Sequence, residues 1–294
     1  MNLKVYDSRT VNYIPYNPSI PKEVVSLSSK DSNNSINPSD YIQSIERGLS
    51  IIQAFSHEHP DLTVSEAAKI TDLSRPTVRR ILLTLEELGY VHAINGRYTL
   101  TARVLSLGYA YISSKNIWEF THPHMRKLVE KTEESTSIAV LDQTEIVYVA
   151  RIPTKRIMTI SLDIGSRLPA YATSMGQVLL AHLSPTELDT YLKSVELKPF
   201  TNKTIIDKET LIDQLEEIRV NGWASAGQQL EDGLYSIAAP IRNKAGKVIA
   251  AINISAHAGR ISQQLKDDFY IPVLLQTADK ISKDLSKSYQ TSLL

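Results

Sequence analysis

Apolar side chains recur every three or four residues after position 40, which is the spacing of one helix face. They predict a first helix over about 42–56, through Ile45, Leu49, Ile52 and Phe55. The next start signal is the capping box Thr63-Val-Ser-Glu66, which predicts a short second helix that ends near Ile70.

A third helix is predicted directly after this second one. Ser74 is a typical N-cap, and Pro76 lies in the first turn, where a missing N–H does no harm. Gly89 marks the end of the helix. The inward-facing stripe is expected to be Val78, Ile81, Leu82, Leu85 and Leu88.

A hairpin is predicted behind the third helix, because Asn95-Gly96 separates two strand-like runs at 90–94 and 97–101. The order helix, tight turn, helix and hairpin predicts a winged helix–turn–helix domain over 41–101. On either side of it, the polar and proline-rich residues 1–40 predict a disordered tail, and residues 102–115 predict a linker helix.

The pattern changes at about residue 116, where strand runs begin to alternate with helices. This mixture predicts an α+β fold, with a largely antiparallel sheet in a second domain over 116–294. Helices are expected at 118–133, 174–183, 185–193, 208–220 and 262–285. Strands are expected at 137–141, 145–152, 156–162, 234–241 and 247–256.

Composition narrows the class of protein. The 294 residues include no Cys, which excludes disulfide scaffolds, thiolate metal sites and cysteine nucleophiles. No apolar run reaches the roughly 18 residues of a spanning helix, and no secretory signal is evident, so a cytoplasmic protein without membrane contact is expected. Lys+Arg and Asp+Glu are both 32, so any polyanion must be bound by one small basic face.

The third helix carries the candidate DNA chemistry. With the apolar stripe turned inward, Arg75 and Arg79 lie four residues apart on an outward face. A guanidinium donates two hydrogen bonds to guanine O6 and N7, whereas the second helix N-terminus and the wing tip suit phosphates. An arginine cluster alone is more often a solvated face, but the winged topology favours DNA. The predicted DNA-binding residues are Thr63, Ser65, Ser74, Arg75, Thr77, Arg79, Arg80, Asn95 and Arg97.

Over about residues 41–285 the sequence resembles the IclR family of bacterial transcription regulators. The resemblance is carried by the segments 44–55, 73–80, 88–90, 97–100, 165–176 and 233–241. Within the family, 167–176 and 228–233 are most similar to the PcaR/PcaU/PobR regulators of aromatic-acid breakdown. The resemblance implies a GAF-like effector domain, a linker helix that helps dimerise, and a homodimer or homotetramer on a double-stranded operator.

The same resemblance implies a small carboxylate effector such as protocatechuate, 4-hydroxybenzoate or β-ketoadipate. Free N–H groups at Met175 and Gly176 are expected to hold the carboxylate, with Arg151 and Arg167 as candidate partners for the anion. The family often has an acidic residue where this chain has Gln229. The predicted effector-binding residues are Arg151, Arg167, Tyr171, Ser174, Met175, Gly176, Gln229, Leu234, Ser236, Asn253 and Ser255.

Two other interpretations of these residues stay open. The small polar side chains are also explained as core residues bonded to nearby backbone, and the two arginines as surface or dimer contacts. For the whole chain, the alternatives are an IclR-type regulator of a non-aromatic keto acid pathway, and a small-molecule enzyme whose winged helix contacts protein.

Signatures of catalysis and of cofactor binding are incomplete. The segment 173–176 lacks the first glycine of a nucleophile elbow, and no glycine-rich phosphate loop occurs. The pairs His57/His59 and His122/His124 lack the further ligands that a metal requires. We therefore expect no enzyme activity, no cofactor and no metal.

Overall fold

The computed structural model describes residue 37 and residues 39–56, 58–115, 117–154 and 162–291. Almost all of the tail predicted over 1–40, and all but the last residue of the strand predicted at 156–162, lie outside these residues. The chain divides into two compact units between Tyr111 and Ile112. Among the described residues, no helix combines the length and the apolar character that crossing a membrane requires.

The first unit has the predicted order of helices and a three-stranded antiparallel sheet. Its helices are α1 (Gln43–Gln53), α2 (Val64–Thr71) and α3 (Arg75–Glu87), and the 3₁₀ turn Ala102–Val104 leads into α4 (Leu105–Lys115). The strands are β1 (Asp61–Leu62), β2 (Val91–Ile94) and β3 (Arg97–Leu100), in the order β1-β3-β2. The winged arrangement is confirmed, with β1 as an additional strand.

Local signals set these boundaries. Both hydrogen bonds of the Thr63–Glu66 capping box are present, and the Ser74 side chain accepts from the Thr77 N–H. Asn95 and Gly96 both have positive φ, as a two-residue hairpin turn with the twist of its strands requires.

The packing of two apolar stripes differs from the prediction. Leu49 on α1 is 44% exposed and Leu88 after α3 is 50% exposed, although both were expected inside. Ile51 on α1 is completely buried, and the predicted Ile52 and Phe55 pack partly buried against the same core. Apolar residues occupy more than one face of α1, and their periodicity alone does not say which face meets the unit's own core.

The second unit is built on a six-stranded antiparallel sheet, which confirms the α+β class. The strands are β4 (Ser135–Asp142), β5 (Glu145–Ile152), β6 (Arg167–Pro169), β7 (Ala224–Gly227), β8 (Leu234–Arg242) and β9 (Val248–His257). Their order is β6-β5-β4-β9-β8-β7. The short strands β6 and β7 were not predicted, because three or four residues leave no clear alternation.

Helices cover both faces of this sheet. They are α5 (Ile117–Thr132), α6 (Ser174–Ala181), α7 (Pro185–Ser194), α8 (Lys208–Asn221), α9 (Gln263–Leu265) and α10 (Ile271–Thr291). A π-helical turn, Lys266–Tyr270, separates α9 from α10, so the single helix predicted at 262–285 is interrupted. Two apolar cores result: α5 and α10 pack on one face of the sheet, and α6 and α8 pack on the other.

Candidate DNA interface and ligand cavity

Helix α3 presents three exposed arginines in its first two turns. Val78 and Leu82 are completely buried, whereas Arg75, Arg79 and Arg80 are exposed. No acid within the described ranges forms an ion pair with any of the three. Three uncompensated guanidinium groups at the start of a helix fit the donors that read base edges and phosphates in DNA.

The start of α3 also carries two hydroxyl groups that were predicted at the interface. The Ser74 and Thr77 hydroxyl oxygens lie 2.8 Å apart and share a hydrogen bond. This bond fixes both side chains at the helix N-terminus, where the partial positive charge of the helix favours a phosphate.

The wing arginine differs from the prediction. Arg97 was expected to reach DNA from the wing tip, whereas its guanidinium pairs with Asp61 at 2.5 Å and with Glu66 at 3.1 Å. The Glu66 carboxylate also accepts from the Thr63 N–H at 2.7 Å, so that backbone donor is occupied too. The sequence could not show this pairing, since it depends on β1 lying beside β3. Arg97 therefore connects the wing to α2, whereas Asn95 at the wing tip and Ser65 on α2 are exposed.

A cavity in the second unit lies between the N-terminus of α6 and the sheet. About 390 Å³ of space not filled by atoms lies within its lining, a figure that includes open solvent. Seven residues of the predicted effector site line it: Ser174, Met175, Gln229, Leu234, Ser236, Asn253 and Ser255. The lining also includes residues that sequence reasoning missed: Tyr148, Leu162, Leu168, Ala172, Thr173, Ala226 and Leu230.

Polar side chains form one wall of this cavity. Ser236 lies directly opposite Ser255 in the β8–β9 pair, so both side chains share one sheet face. The hydroxyl oxygens of Ser174 and Ser236 are 2.8 Å apart, and Asn253 Oδ1 accepts from the Ser137 N–H at 2.9 Å. The interpretation as core polar residues bonded to neighbours thus holds for part of the set.

Tyr148 is the main residue that the sequence did not point to. Burial raises the pKa of its hydroxyl to about 12, with the charge of Arg151 acting in the opposite direction. The hydroxyl is therefore protonated at neutral pH and is available as a donor. One tyrosine in a strand of alternating residues does not indicate that this face of the sheet borders a cavity.

Gly176 and Tyr171 do not line the cavity, contrary to the prediction. The Gly176 N–H is not free, because it donates to Thr173 Oγ1 at 3.1 Å. A Cβ at Gly176 would come within 2.1 Å of the Ala170 carbonyl oxygen, so this glycine allows α6 to pack closely on the preceding backbone. The Tyr171 hydroxyl donates to the Lys198 carbonyl and accepts from the Lys198 N–H, both at 2.8 Å.

The two arginines expected to bind the anion also lie outside the lining. Arg167 pairs with Asp142 at 2.8 Å and with Glu145 at 2.6 Å at the sheet edge, so its charge is already balanced. Arg151 is partly buried and donates to Ser137 Oγ at 3.3 Å. Ser137 lies opposite both Arg151 and Asn253, so Arg151 is two strands away from Asn253, although it shares β5 with Tyr148.

A winged helix with exposed arginines, joined to a second domain with a polar-walled cavity, defines a DNA-binding regulator with a ligand-sensing domain. The family model described as IclR helix-turn-helix domain matches residues 44–93. The model described as bacterial transcriptional regulator IclR C-terminal matches residues 109–283, more than half of the chain. This chain belongs to the IclR family of transcription regulators, and is not an enzyme.

Similar proteins agree with this assignment. The chain is 38% identical to the Pca regulon regulatory protein of Pseudomonas putida over 247 residues, 84% of this chain and 85% of that protein. It is 34% identical to the p-hydroxybenzoate hydroxylase transcriptional activator of Acinetobacter baylyi, over 87% of this chain and 96% of that one. A crystal structure of a transcriptional regulator from Rhodococcus sp. RHA1 shares 48% identity with a TM-score of 0.75, covering 84% of this chain and all of that chain.

Proposed function

We propose that this regulator responds to a single-ring aromatic carboxylate bound in the cavity of its second domain. The observation that carries the proposal is a cavity walled by neutral hydrogen-bond donors at a helix N-terminus, in a chain 34% identical to a p-hydroxybenzoate hydroxylase transcriptional activator.

The carboxylate is held by neutral groups in this proposal. Among the described residues, no acceptor takes up the backbone N–H of Ser174 or Met175 at the start of α6. These two donors and the partial positive charge of the helix end suit an anion. The Tyr148 hydroxyl and the Gln229 amide add donors, and the leucines at 168, 230 and 234 provide apolar contact for a ring.

DNA is read by α3 in this proposal. Arg75, Arg79 and Arg80 contact base edges or phosphates, and the hydroxyls of Ser74 and Thr77 contact the backbone. Ser65 and Asn95 contribute phosphate contacts from α2 and the wing tip. The boundaries 41–101, 102–115 and 116–294 remain our proposal for the winged domain, the linker helix and the effector domain.

The active species is proposed to be a homodimer or a homotetramer. Two copies of α3 would then lie in successive major grooves of a pseudopalindromic operator. The exposed Leu105, Leu107 and Tyr109 of α4 suit a helix that contacts a second copy. Such a dimer would have two arrangements of its α3 helices, which bind DNA with different affinity. The change in DNA affinity on effector binding is limited by the difference in the effector's affinity for these two arrangements.

The test is a titration of DNA affinity against a panel of acids. A DNA ligand is first selected from a randomised duplex library, and its affinity is measured by fluorescence anisotropy. We expect 4-hydroxybenzoate or protocatechuate to change this affinity and glyoxylate to leave it unchanged. A response to glyoxylate alone would favour the keto acid alternative and reject the aromatic one.

A further inference from the structure

A chain of hydrogen bonds connects the cavity wall to the backbone beneath it. Gln177 on α6 is completely buried, and its Nε2 group donates to the Tyr171 carbonyl oxygen at 2.8 Å. The same Nε2 group donates its second hydrogen to Gln229 Oε1, also at 2.8 Å. Gln229 in turn lines the cavity.

The chemistry of these groups sets the direction of both side-chain amides. A backbone carbonyl only accepts hydrogen bonds, so the end of Gln177 that faces Tyr171 must be its NH₂ group. With one hydrogen on Tyr171, the second hydrogen requires an acceptor, and Gln229 must present its oxygen there. The Gln229 NH₂ group then lies on the other side of its planar amide. No acceptor among the described residues takes up this NH₂ group.

The side-chain oxygen of Gln177 also indicates that this residue acts through its two N–H donors. Its Oε1 atom is buried and has no hydrogen-bond partner within the described chain. Leaving a buried acceptor unpaired costs free energy, and such an atom in a native protein requires an explanation. Gln177 uses both hydrogens of its NH₂ group and leaves its oxygen without a partner. This arrangement is explained if the function of Gln177 is to donate those two hydrogen bonds.

We propose that Gln177 is a positioning residue that holds the Gln229 amide with its NH₂ group toward the cavity. The cavity then selects a ligand that places an acceptor, such as a carboxylate oxygen, next to Gln229. This inference rests on the proposed function of the cavity as the effector site. A glutamate at position 229 would accept from Gln177 equally well, but would turn a second carboxylate oxygen to the ligand and favour a donor instead.

The test compares two probes that differ only in this group, 4-hydroxybenzoate and the neutral 4-hydroxybenzamide. We expect the unmodified protein to bind the acid at least about tenfold more tightly, as a hydrogen bond to a charged group implies. The isosteric Gln229→Glu variant should reverse this preference. Gln177→Met should reduce the preference several-fold, because Gln229 loses the donor that orients it.

Gln228→Glu is the matched control for added charge. Gln228 is the neighbouring residue, does not line the cavity, and uses its Oε1 to accept from the Gly233 N–H, which a carboxylate does as well. The acid-to-amide preference of Gln228→Glu should remain that of the unmodified protein. An equal change in Gln228→Glu and Gln229→Glu would overturn the proposal, because charge alone would then explain the result.

An NMR measurement without effector separates this inference from the proposed function. A scalar coupling across the hydrogen bond, between Gln177 Nε2 and Gln229 Cδ, should be measurable because Gln229 Oε1 accepts from Gln177. Absence of this coupling would overturn the inference, whatever the protein binds. If neither probe binds while the coupling is present, the aromatic-acid proposal fails and the orientation of Gln229 stands.

Discussion

Replacing Gly176 with alanine tests how closely α6 packs on the segment before it. A Cβ at this position would lie 2.1 Å from the carbonyl oxygen of Ala170 and 2.4 Å from its Cα. Both atoms belong to the backbone, so a side-chain rotation cannot relieve the overlap. Overpacking of this kind costs about 1–3 kcal/mol, with the upper end expected here because backbone must move.

A gain in helix stability offsets part of this cost. Alanine within a helix is about 0.5–1 kcal/mol more favourable than glycine. The net loss for Gly176→Ala should therefore be about 2–2.5 kcal/mol, or a fall of about 1 M in the urea midpoint at a slope of about 2 kcal/mol/M. Far-UV circular dichroism and tryptophan fluorescence would follow the unfolding.

Gly48→Ala is the matched control, since Gly48 lies within α1 and its Cβ would meet nothing within 4 Å. This variant should be more stable than the unmodified protein by about 0.5–1 kcal/mol. If Gly176→Ala were as stable as Gly48→Ala, the close approach of α6 to Ala170 would be refuted.

Three further results are expected. Arg79→Ala should weaken binding to the selected DNA relative to random DNA by about 1–3 kcal/mol, and equal loss on both in an electrophoretic shift titration would contradict base reading. Arg97→Gln should leave the salt dependence of DNA affinity unchanged, whereas a slope reduced by about one would make Arg97 a phosphate contact. Burial and the nearby Arg242 charge lower the pKa of His182, so the unfolded chain binds its proton more tightly. The free energy of unfolding should therefore fall as the pH drops below about 6.5, and His182→Gln should flatten this dependence in urea titrations at several pH values.

Much of the fold could be predicted because its boundaries are set by residues close in sequence. The capping box at Thr63, the turn at Asn95-Gly96 and the left-handed Gly89 after α3 each act over a few residues, and the structure confirms them. The strand β7 is different. Its register with β8, such as Gly227 opposite Tyr235, depends on a pairing that four residues do not specify.

The cavity could be predicted only in part, for a related reason. Alternation along β8 and β9 places Ser236 and Ser255 on one face, and the structure brings that face to the cavity. Tyr148 comes from β5, which pairs with β4 and β6 and not with β8 or β9. Its position in the cavity wall depends on the order of the strands and on the position of α6. The alternation of apolar and polar residues along β5 predicts neither of these.

The arginines show most clearly what the sequence could not decide. In sequence, Arg79 and Arg167 are both arginines beside apolar residues, and both were assigned to an anion. In the structure, β5–β6 pairing brings Glu145 and Asp142 to Arg167, whereas α3 brings no acid within reach of Arg79 in the described chain. An arginine already paired with two carboxylates must give up those pairs to bind another anion, so it is the weaker candidate.

Arg97, which pairs with Asp61 and Glu66, is a weaker candidate for the same reason. Arg75, Arg79 and Arg80 form no ion pair within the described residues, so a chain with no net charge still carries a small basic face on α3.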